Sequence, residues 1–126
     1  MNGLPPFELG HPRTELRRQL VDAVMRGEKT ATAGLLEEYE AEGEQPDVVG
    51  SRCILLGYDE EPVAIVEVTE SKVVPAGEID EAFAHDEGEG FESVEDWRVA
   101  HEHFFGRPIE RETQIVAVRF RVVERL

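Results

Sequence analysis

The sequence predicts an α+β domain in which an antiparallel β-sheet curls into a small barrel flanked by short helices. Strand-like and helix-like segments are mixed along 126 residues without a regular strand–helix repeat. The last segment alternates apolar and polar side chains, as a strand with one buried face does. The length and a hydrophobic content of 40% suit one domain with its own core. We therefore expect a single domain over residues 1–126, with an irregular lead-in over 1–11.

The N-terminal half contains two predicted helices with a short extended segment between them. Pro12 suits the first turn of a helix, and Gly27 ends that helix. Its apolar face consists of Leu16, Leu20, Val21, Val24 and Met25. Residues 29–33 are compatible with a strand or a bend. Residues 35–42 indicate a short acidic helix that Gly43 ends.

Two strands are predicted next, over residues 52–58 and 63–71. Residues 59–62, Asp-Glu-Glu-Pro, suit a hairpin connection between them. Residues 78–85 then indicate a short helix, whose acidic side chains are expected to face solvent.

A fourth helix is predicted over residues 94–105, with Ser93 as its N-cap, Asp96 three residues on, and Gly106 at its end. The final strand should be half-buried. Its predicted inner face is Val116, Val118, Phe120 and Val122, and its outer face is Ala117, Arg119 and Arg121.

Composition limits the possible partners. The formal net charge is −15, from 28 acidic and 13 basic residues, so the surface should repel a polyphosphate backbone. Extended duplex nucleic acid is therefore not expected as a ligand. Cys53 lies in an apolar run and is predicted to be a buried core thiol. Residues 1–9 lack a basic flank followed by an apolar stretch, which favours a cytoplasmic protein that enters no membrane.

Two segments carry the residues best suited to chemistry. Gly27-Glu28-Lys29-Thr30-Ala31-Thr32 offers an amine beside two hydroxyls, and His85-Asp86-Glu87-Gly88-Glu89-Gly90 offers carboxylates on a glycine frame. Together they could form a pocket that moves protons. The first segment lacks the upstream glycine of a phosphate-binding loop. His101 and His103 are two residues apart on a helix and cannot converge, so we expect no metal site and no cofactor.

An ordered series of motifs resembles the ASCH domain family, which is related to the PUA fold, a small β-barrel associated with RNA. The motifs are Gly27-Glu28-Lys29-Thr30-Ala31-Thr32, Leu35-Leu36-Glu37-Glu38-Tyr39-Glu40, Val49-Gly50, Glu67-Val68-Thr69, Glu87-Gly88-Glu89-Gly90 and Trp97-Arg98-Val99-Ala100-His101. The resemblance extends from about Leu20 to the C-terminus. It implies a compact barrel with a cleft between the lysine–threonine segment and the acidic loop.

The resemblance also implies activities and residue roles. Family members include an amidohydrolase that removes the acetyl group from N-acetylated cytidine with a lysine, a threonine and a glutamate, and others are described as ribonucleases or RNA binders. By position these roles fall on Lys29, on Thr32 as nucleophile, and on Glu89, with Glu87 as the second choice. The chain departs from the family pattern at Gly34, where an arginine is usual, which weakens the case for a phosphate or RNA-backbone contact.

Chemistry of the residues themselves supports these roles only in part. Glu87 and Glu89 should hold Lys29 charged, so lysine is better suited to stabilise an oxyanion while Glu89 moves the proton. Lys29 and Thr32 converge only if their segment is irregular, because residues three apart on a strand face opposite sides. The simpler interpretation is an ordinary ion pair at Lys29 with threonines filling strand positions.

Further residues are candidates for binding the substrate. Thr30 adjoins Lys29, and Glu38 could line the cleft. Trp97 belongs to the core or walls the cleft, where an indole can stack on a nucleobase. His101 shares a helical face with Val94, Trp97 and Phe104, so a packed histidine with one satisfied hydrogen bond is favoured over a catalytic base. The expected partner is a small nucleoside or nucleotide, or short single-stranded RNA. A non-catalytic RNA-binding module is the alternative, and a ribonuclease using His101 and Lys29 is the third possibility.

Overall fold

A computed structural model of the chain describes residues 3–7, 9 and 14–126. The strands are Pro6–Phe7 (β1), Ala31–Leu35 (β2), Arg52–Leu56 (β3), Pro62–Pro75 (β4) and Gln114–Arg125 (β5). The helices are Glu15–Met25 (α1), Leu36–Ala41 (α2), Glu81–Asp86 (α3) and Val94–Phe105 (α4), and a 3-10 turn spans Ala76–Glu78. The predicted α+β class is confirmed. Pro12, the predicted first turn of α1, lies outside the described residues.

The five strands form one sheet in the order β1-β3-β4-β5-β2. β1 pairs with β3 in parallel, and the other pairs are antiparallel. Two register shifts interrupt β4, at Ile65/Val66 and Val68/Glu70, and such bulges bend and twist a strand. Among the described residues β1 and β2 are not paired with each other, so the predicted barrel is open rather than closed.

The core lies on both faces of the sheet. α1 packs Leu20 and Val24 against Leu55 of β3 and Phe120 of β5 in one apolar cluster. A second cluster joins β2 to α3 and α4 and includes Trp97. Cys53 is buried, as predicted, and burial raises the pKa of its thiol.

The N-terminal part of β5 differs from the prediction of a half-buried strand. Four consecutive residues, Ile115, Val116, Ala117 and Val118, are all buried. Ile115 and Ala117 pack into the cluster that contains Trp97, whereas Val116 and Val118 pack with Val68 on the opposite face. Both faces of the strand are therefore covered there. The alternation of apolar and polar residues predicted only one covered face.

Two further boundaries were predicted wrongly. β4 runs past residue 71 to Pro75 because β5 is long enough to pair with it over this whole length. The helix predicted over 78–85 is divided in two. The structure has the 3-10 turn followed by α3 instead. Asp80 caps α3 by accepting a hydrogen bond from Phe83 N at 2.8 Å.

The predicted bounds and caps of α4 are confirmed. Ser93 Oγ accepts a hydrogen bond from Asp96 N at 3.1 Å, and Gly106 ends the helix in the left-handed region at φ +73°. The predicted buried face is only partly right, because Trp97 and His101 are buried whereas Phe104 is 46% exposed. No helix in the described part of the chain is long and apolar enough to cross a membrane.

Candidate functional site

The lysine segment is held at the C-terminal end of α1. Ala23 O accepts hydrogen bonds from both Glu28 N, at 2.9 Å, and Lys29 N, at 3.1 Å. Gly27 allows this reversal because its φ of +82° lies in the left-handed region. β2 begins at Ala31, so Lys29 lies in irregular backbone before the strand. Its side chain points inward and is 1% exposed.

The acidic loop after α3 lies directly against this segment. Thr30 N donates to Asp86 O at 2.7 Å. Gly88, at φ +70°, approaches so closely that a Cβ there would lie 2.5 Å from Glu28 O and 2.6 Å from Lys29 Cα. Only glycine allows this approach. The two segments that the sequence singled out therefore meet backbone to backbone.

Lys29 is surrounded by carboxylates. Its Nζ donates to Glu87 O at 3.2 Å, to Glu87 Oε1 at 3.4 Å and to Glu89 Oε2 at 3.2 Å. These three acceptors match the three protons of an ammonium group. Because one cation faces two carboxylates, the three side chains carry a net negative charge when both carboxylates are ionised.

Glu87 is the centre of the cluster, and its side chain is 1% exposed. Its Oε2 accepts a hydrogen bond from Trp97 Nε1 and lies 3.4 Å from His101 Nε2. His101 Nδ1 lies 2.8 Å from Trp97 O, and because a carbonyl only accepts, this nitrogen carries a proton. The rings of Trp97 and His101 stack with centroids 4.4 Å apart. The prediction that His101 is a packed histidine with a satisfied hydrogen bond is confirmed.

The two carboxylates have pKa values shifted in opposite directions. Burial opposes ionisation of Glu87, but His101, Lys29 and Trp97 together hold its pKa below the ordinary value. Burial, helped by the charge of Glu87, raises the pKa of Glu89 despite the opposing effect of Lys29. When the pKa values of two neighbouring acids are shifted apart, the acid with the lowered pKa stays ionised and the other can carry a proton. Glu87 fits the first role and Glu89 the second.

The chain matches one known protein family over most of its length. The family model for the ASCH domain matches residues 9–124. The chain belongs to the ASCH domain family. Its fold is the PUA-like fold that the sequence predicted.

Two solved structures cover nearly all of the ASCH domain at 27% sequence identity. Protein EF3133 from Enterococcus faecalis V583 matches with a TM-score of 0.86, covering 99% of this chain and 79% of that one. An ASCH domain from Lactobacillus crispatus JV V101 matches with a TM-score of 0.81, covering 96% and 80%. The hypothetical protein PH0355 shares the fold at 16% identity, with a TM-score of 0.62 and coverage of 86% and 94%. No curated protein gives a significant match.

The ASCH domain brings together five of the residues predicted for its site. Lys29, Glu87, Glu89, Trp97 and His101 form one connected network. Trp97 and His101 are buried behind Glu87 and position its carboxylate. Only Glu89 lies at the surface of the network, with its side chain 23% exposed.

The other predicted residues lie outside this network. Thr32 pairs with Val118 and faces the side of β2 opposite Ala31. Thr30 is exposed, with its hydroxyl 3.4 Å from Asp86 O. Glu38 is exposed on α2. Among the described residues, neither Thr32 nor Glu38 makes a hydrogen bond or ion pair with the network.

Sequence reasoning missed the contact that fixes the acidic loop to the sheet. Arg119 NH1 lies 2.6 Å from Asp86 Oδ2, and the guanidinium also lies over the ring of Phe83, 5.3 Å from its centroid. Arg119 was predicted only as an outward-facing strand residue. Nothing in its spacing pointed to a partner 33 residues away.

Gly34 lies close to the ring of Tyr39. A Cβ at Gly34 would lie 3.0 Å from Tyr39 Cε1. Any larger side chain there requires the Tyr39 ring to move. In the described part of the chain, no group of three or more His, Cys, Asp or Glu side chains is arranged to hold a metal ion.

We expect His101 to make stability depend on pH in the neutral range. Burial lowers the pKa of His101, but the hydrogen bond and charge of Glu87 outweigh this and raise it. The folded state then binds the proton more tightly than the unfolded state. The resulting stability is complete below about pH 6.5 and is lost as pH rises through the folded-state pKa.

Urea denaturation of His101→Gln and wild type between about pH 6 and about pH 9 checks this expectation. The free energy of unfolding of His101→Gln should fall less with rising pH than that of the wild type. His103→Gln, an exposed position on the same helix, is the control and should keep it. Equal slopes in all three proteins would show that His101 gains no proton affinity on folding.

Proposed function

We propose that this ASCH domain binds a nucleobase or nucleoside and hydrolyses an amide on the base, such as the acetyl amide of N-acetylated cytidine. The observation that supports the proposal is the buried Lys29 between two carboxylates with opposite pKa shifts. Burying an ion pair costs free energy, and buried groups with shifted pKa values are common in active sites. A purely structural core gains little from such a cluster.

The proposed reaction begins at Glu89, because it is the exposed member of the cluster. A substrate carbonyl oxygen takes the place of Glu89 Oε2 on Lys29 Nζ. The ammonium then stabilises the negative charge that develops on this oxygen. Glu87, held by Trp97 and His101, keeps Lys29 in position throughout.

In the next step the nucleophile attacks the carbonyl carbon. On the family resemblance this nucleophile is the Thr32 hydroxyl, whose proton passes to Glu89. Glu89 returns a proton to the departing amine of the base, and water then hydrolyses the acyl-threonine ester. This role requires Thr32 to come within reach of the bound substrate from its position in β2.

The experiment for this proposal is acetate release from N-acetylated cytidine by the purified protein without added metal. Glu89→Gln should lower kcat by about 100-fold or more, the usual contribution of a general acid–base group. Glu92→Gln, an exposed acid of the same loop, is the matched control and should act like wild type. A chelator should not change the rate. No acetate release by wild type from several acylated cytidines would favour the binding module.

Thr32→Ala tests the nucleophile separately. Turnover should be abolished with the fold intact, because the change deletes a hydroxyl from a half-buried strand position. Thr69→Ala, at an exposed position of β4, is the control. Full activity of Thr32→Ala would assign the attack to a water molecule that Glu89 activates.

RNA binding is the alternative function, since the family is associated with RNA. The net charge of −15 and Gly34 both argue against a strong backbone contact. We expect single-stranded and duplex RNA to bind at roughly 10⁻⁵ M or weaker at physiological salt. Fluorescence anisotropy checks this, and tight binding that falls steeply with salt would favour the RNA-binding module. A ribonuclease would use His101 as its acid–base group, and this argues against it, because His101 is buried behind Glu87 with its ring stacked on Trp97.

A further inference from the structure

A cavity lies between the C-terminal end of α1 and the C-terminal half of β5. Its volume is about 160 Å³. The apolar side chains around it are Val24, Phe120 and Val122, and the polar ones include Thr30, Arg121 and Arg125. Lys29 also lines it, so the cavity adjoins the residue that holds the two carboxylates.

The cavity is unusual in its charge. The charged side chains that line it, among the described residues, are Lys29, Arg121 and Arg125, and none is a carboxylate. Lys29 is already bound to Glu87 and Glu89, so the positive charge that faces the cavity comes from the two arginines. The whole chain has 28 acidic residues against 13 basic ones. A cationic depression on so acidic a protein attracts anions locally, while the rest of the surface repels extended polyanions.

Existing contacts already orient the two arginines. Arg125 NH2 donates to Met25 O at 2.7 Å, at the end of α1, and Arg121 NH2 lies 3.1 Å from Glu67 Oε2. A guanidinium has five N–H donors, so each of these contacts uses only a part of it. Planar guanidinium groups are well suited to bind the oxygens of a phosphate.

We propose that this cavity binds the phosphate of a mononucleotide, so that the substrate class is a nucleotide rather than a neutral nucleoside. The inference rests on the proposed function, because it places the phosphate beside the lysine that contacts the reacting carbonyl. Pockets for complete drug-sized ligands measure about 300–1,000 Å³. A cavity of 160 Å³ therefore suits one phosphate with the adjoining sugar carbons against Val24 and Phe120.

Calorimetric titration with cytidine, cytidine 5′-monophosphate and inorganic phosphate tests the proposal without turnover. The monophosphate should bind at least about tenfold more tightly than cytidine, as one charge-assisted hydrogen bond allows. Arg121→Gln and Arg125→Gln should each remove most of that advantage and leave cytidine binding unchanged. Arg111→Gln, which removes the same charge from an exposed site that does not line the cavity, should retain it.

Four outcomes would overturn the inference. Cytidine and its monophosphate could bind equally, or Arg111→Gln could lose as much affinity as the two cavity variants, which would indicate a general charge effect. An oligocytidylate that binds far more tightly than the monophosphate would identify an RNA backbone as the occupant. Because Arg125 also contacts the end of α1, Arg121→Gln serves as the variant without a helix contact. Acetate release from the neutral nucleoside alone, with no phosphate preference, would retain the proposed function and reject this inference.

Discussion

Replacing Lys29 with methionine is expected to lower the free energy of unfolding by about 3–5 kcal/mol at neutral pH. Methionine keeps the apolar stem but removes the charge that Glu87 and Glu89 share. Glu87 then lies buried without the lysine, and the neighbouring charge of Glu89 repels it. Acetate release should also be lost, because the group that stabilises the oxyanion is gone.

The pH dependence of this variant separates charge from packing. Without Lys29, the pKa of each carboxyl in the folded state should be higher than in the wild type, because Lys29 lowers both. The variant therefore gains stability relative to wild type as pH falls, and the deficit should shrink in acid. Urea denaturation from about pH 4 to about pH 8 measures this.

Two comparisons complete the test. Lys72→Met changes an exposed lysine and should cost little. The double variant Lys29→Met with Glu89→Gln should be more stable than Lys29→Met alone, since one of the unpaired charges is removed. If Lys29→Met is as stable as Lys72→Met at neutral pH, the cluster holds no buried ion pair.

The order of helices and strands was largely predictable because it depends on local signals. Ser93 and Gly106 set the ends of α4, and apolar spacing showed the face of α1 that packs on the sheet. The extra length of β4 and the double burial of β5 were not predictable. Both depend on partner strands and helices that are distant in the sequence.

The sequence predicted which residues form the candidate site better than it predicted how they are arranged. Motif resemblance brought Lys29, Glu87 and Glu89 together, and the contacts agree. It gave no information on which carboxylate is buried, since that depends on Trp97 and His101 reaching Glu87 from another helix. The roles of Arg119 and Gly88 require the folded chain, because each acts on a segment far away in sequence.

Gly88→Ala is expected to destabilise the protein by about 3 kcal/mol, since it combines two costs. A left-handed φ costs about 1–2 kcal/mol for alanine, and overpacking against backbone adds about 1–3 kcal/mol. The new Cβ would meet Glu28 O at 2.5 Å, so the acidic loop must retreat from Lys29.

Gly90→Ala is the matched control for this prediction. Gly90 has a φ of +85° but nothing within 4 Å of a Cβ, so its substitution brings only the backbone cost of about 1–2 kcal/mol. An NMR titration of His101 reports on the site itself. Retreat of the loop takes Glu87 away from the ring, so the His101 pKa should fall from its raised value in Gly88→Ala and stay raised in Gly90→Ala. Equal stabilities and equal His101 titrations in the two variants would show that the close approach of Gly88 does not hold the cluster together.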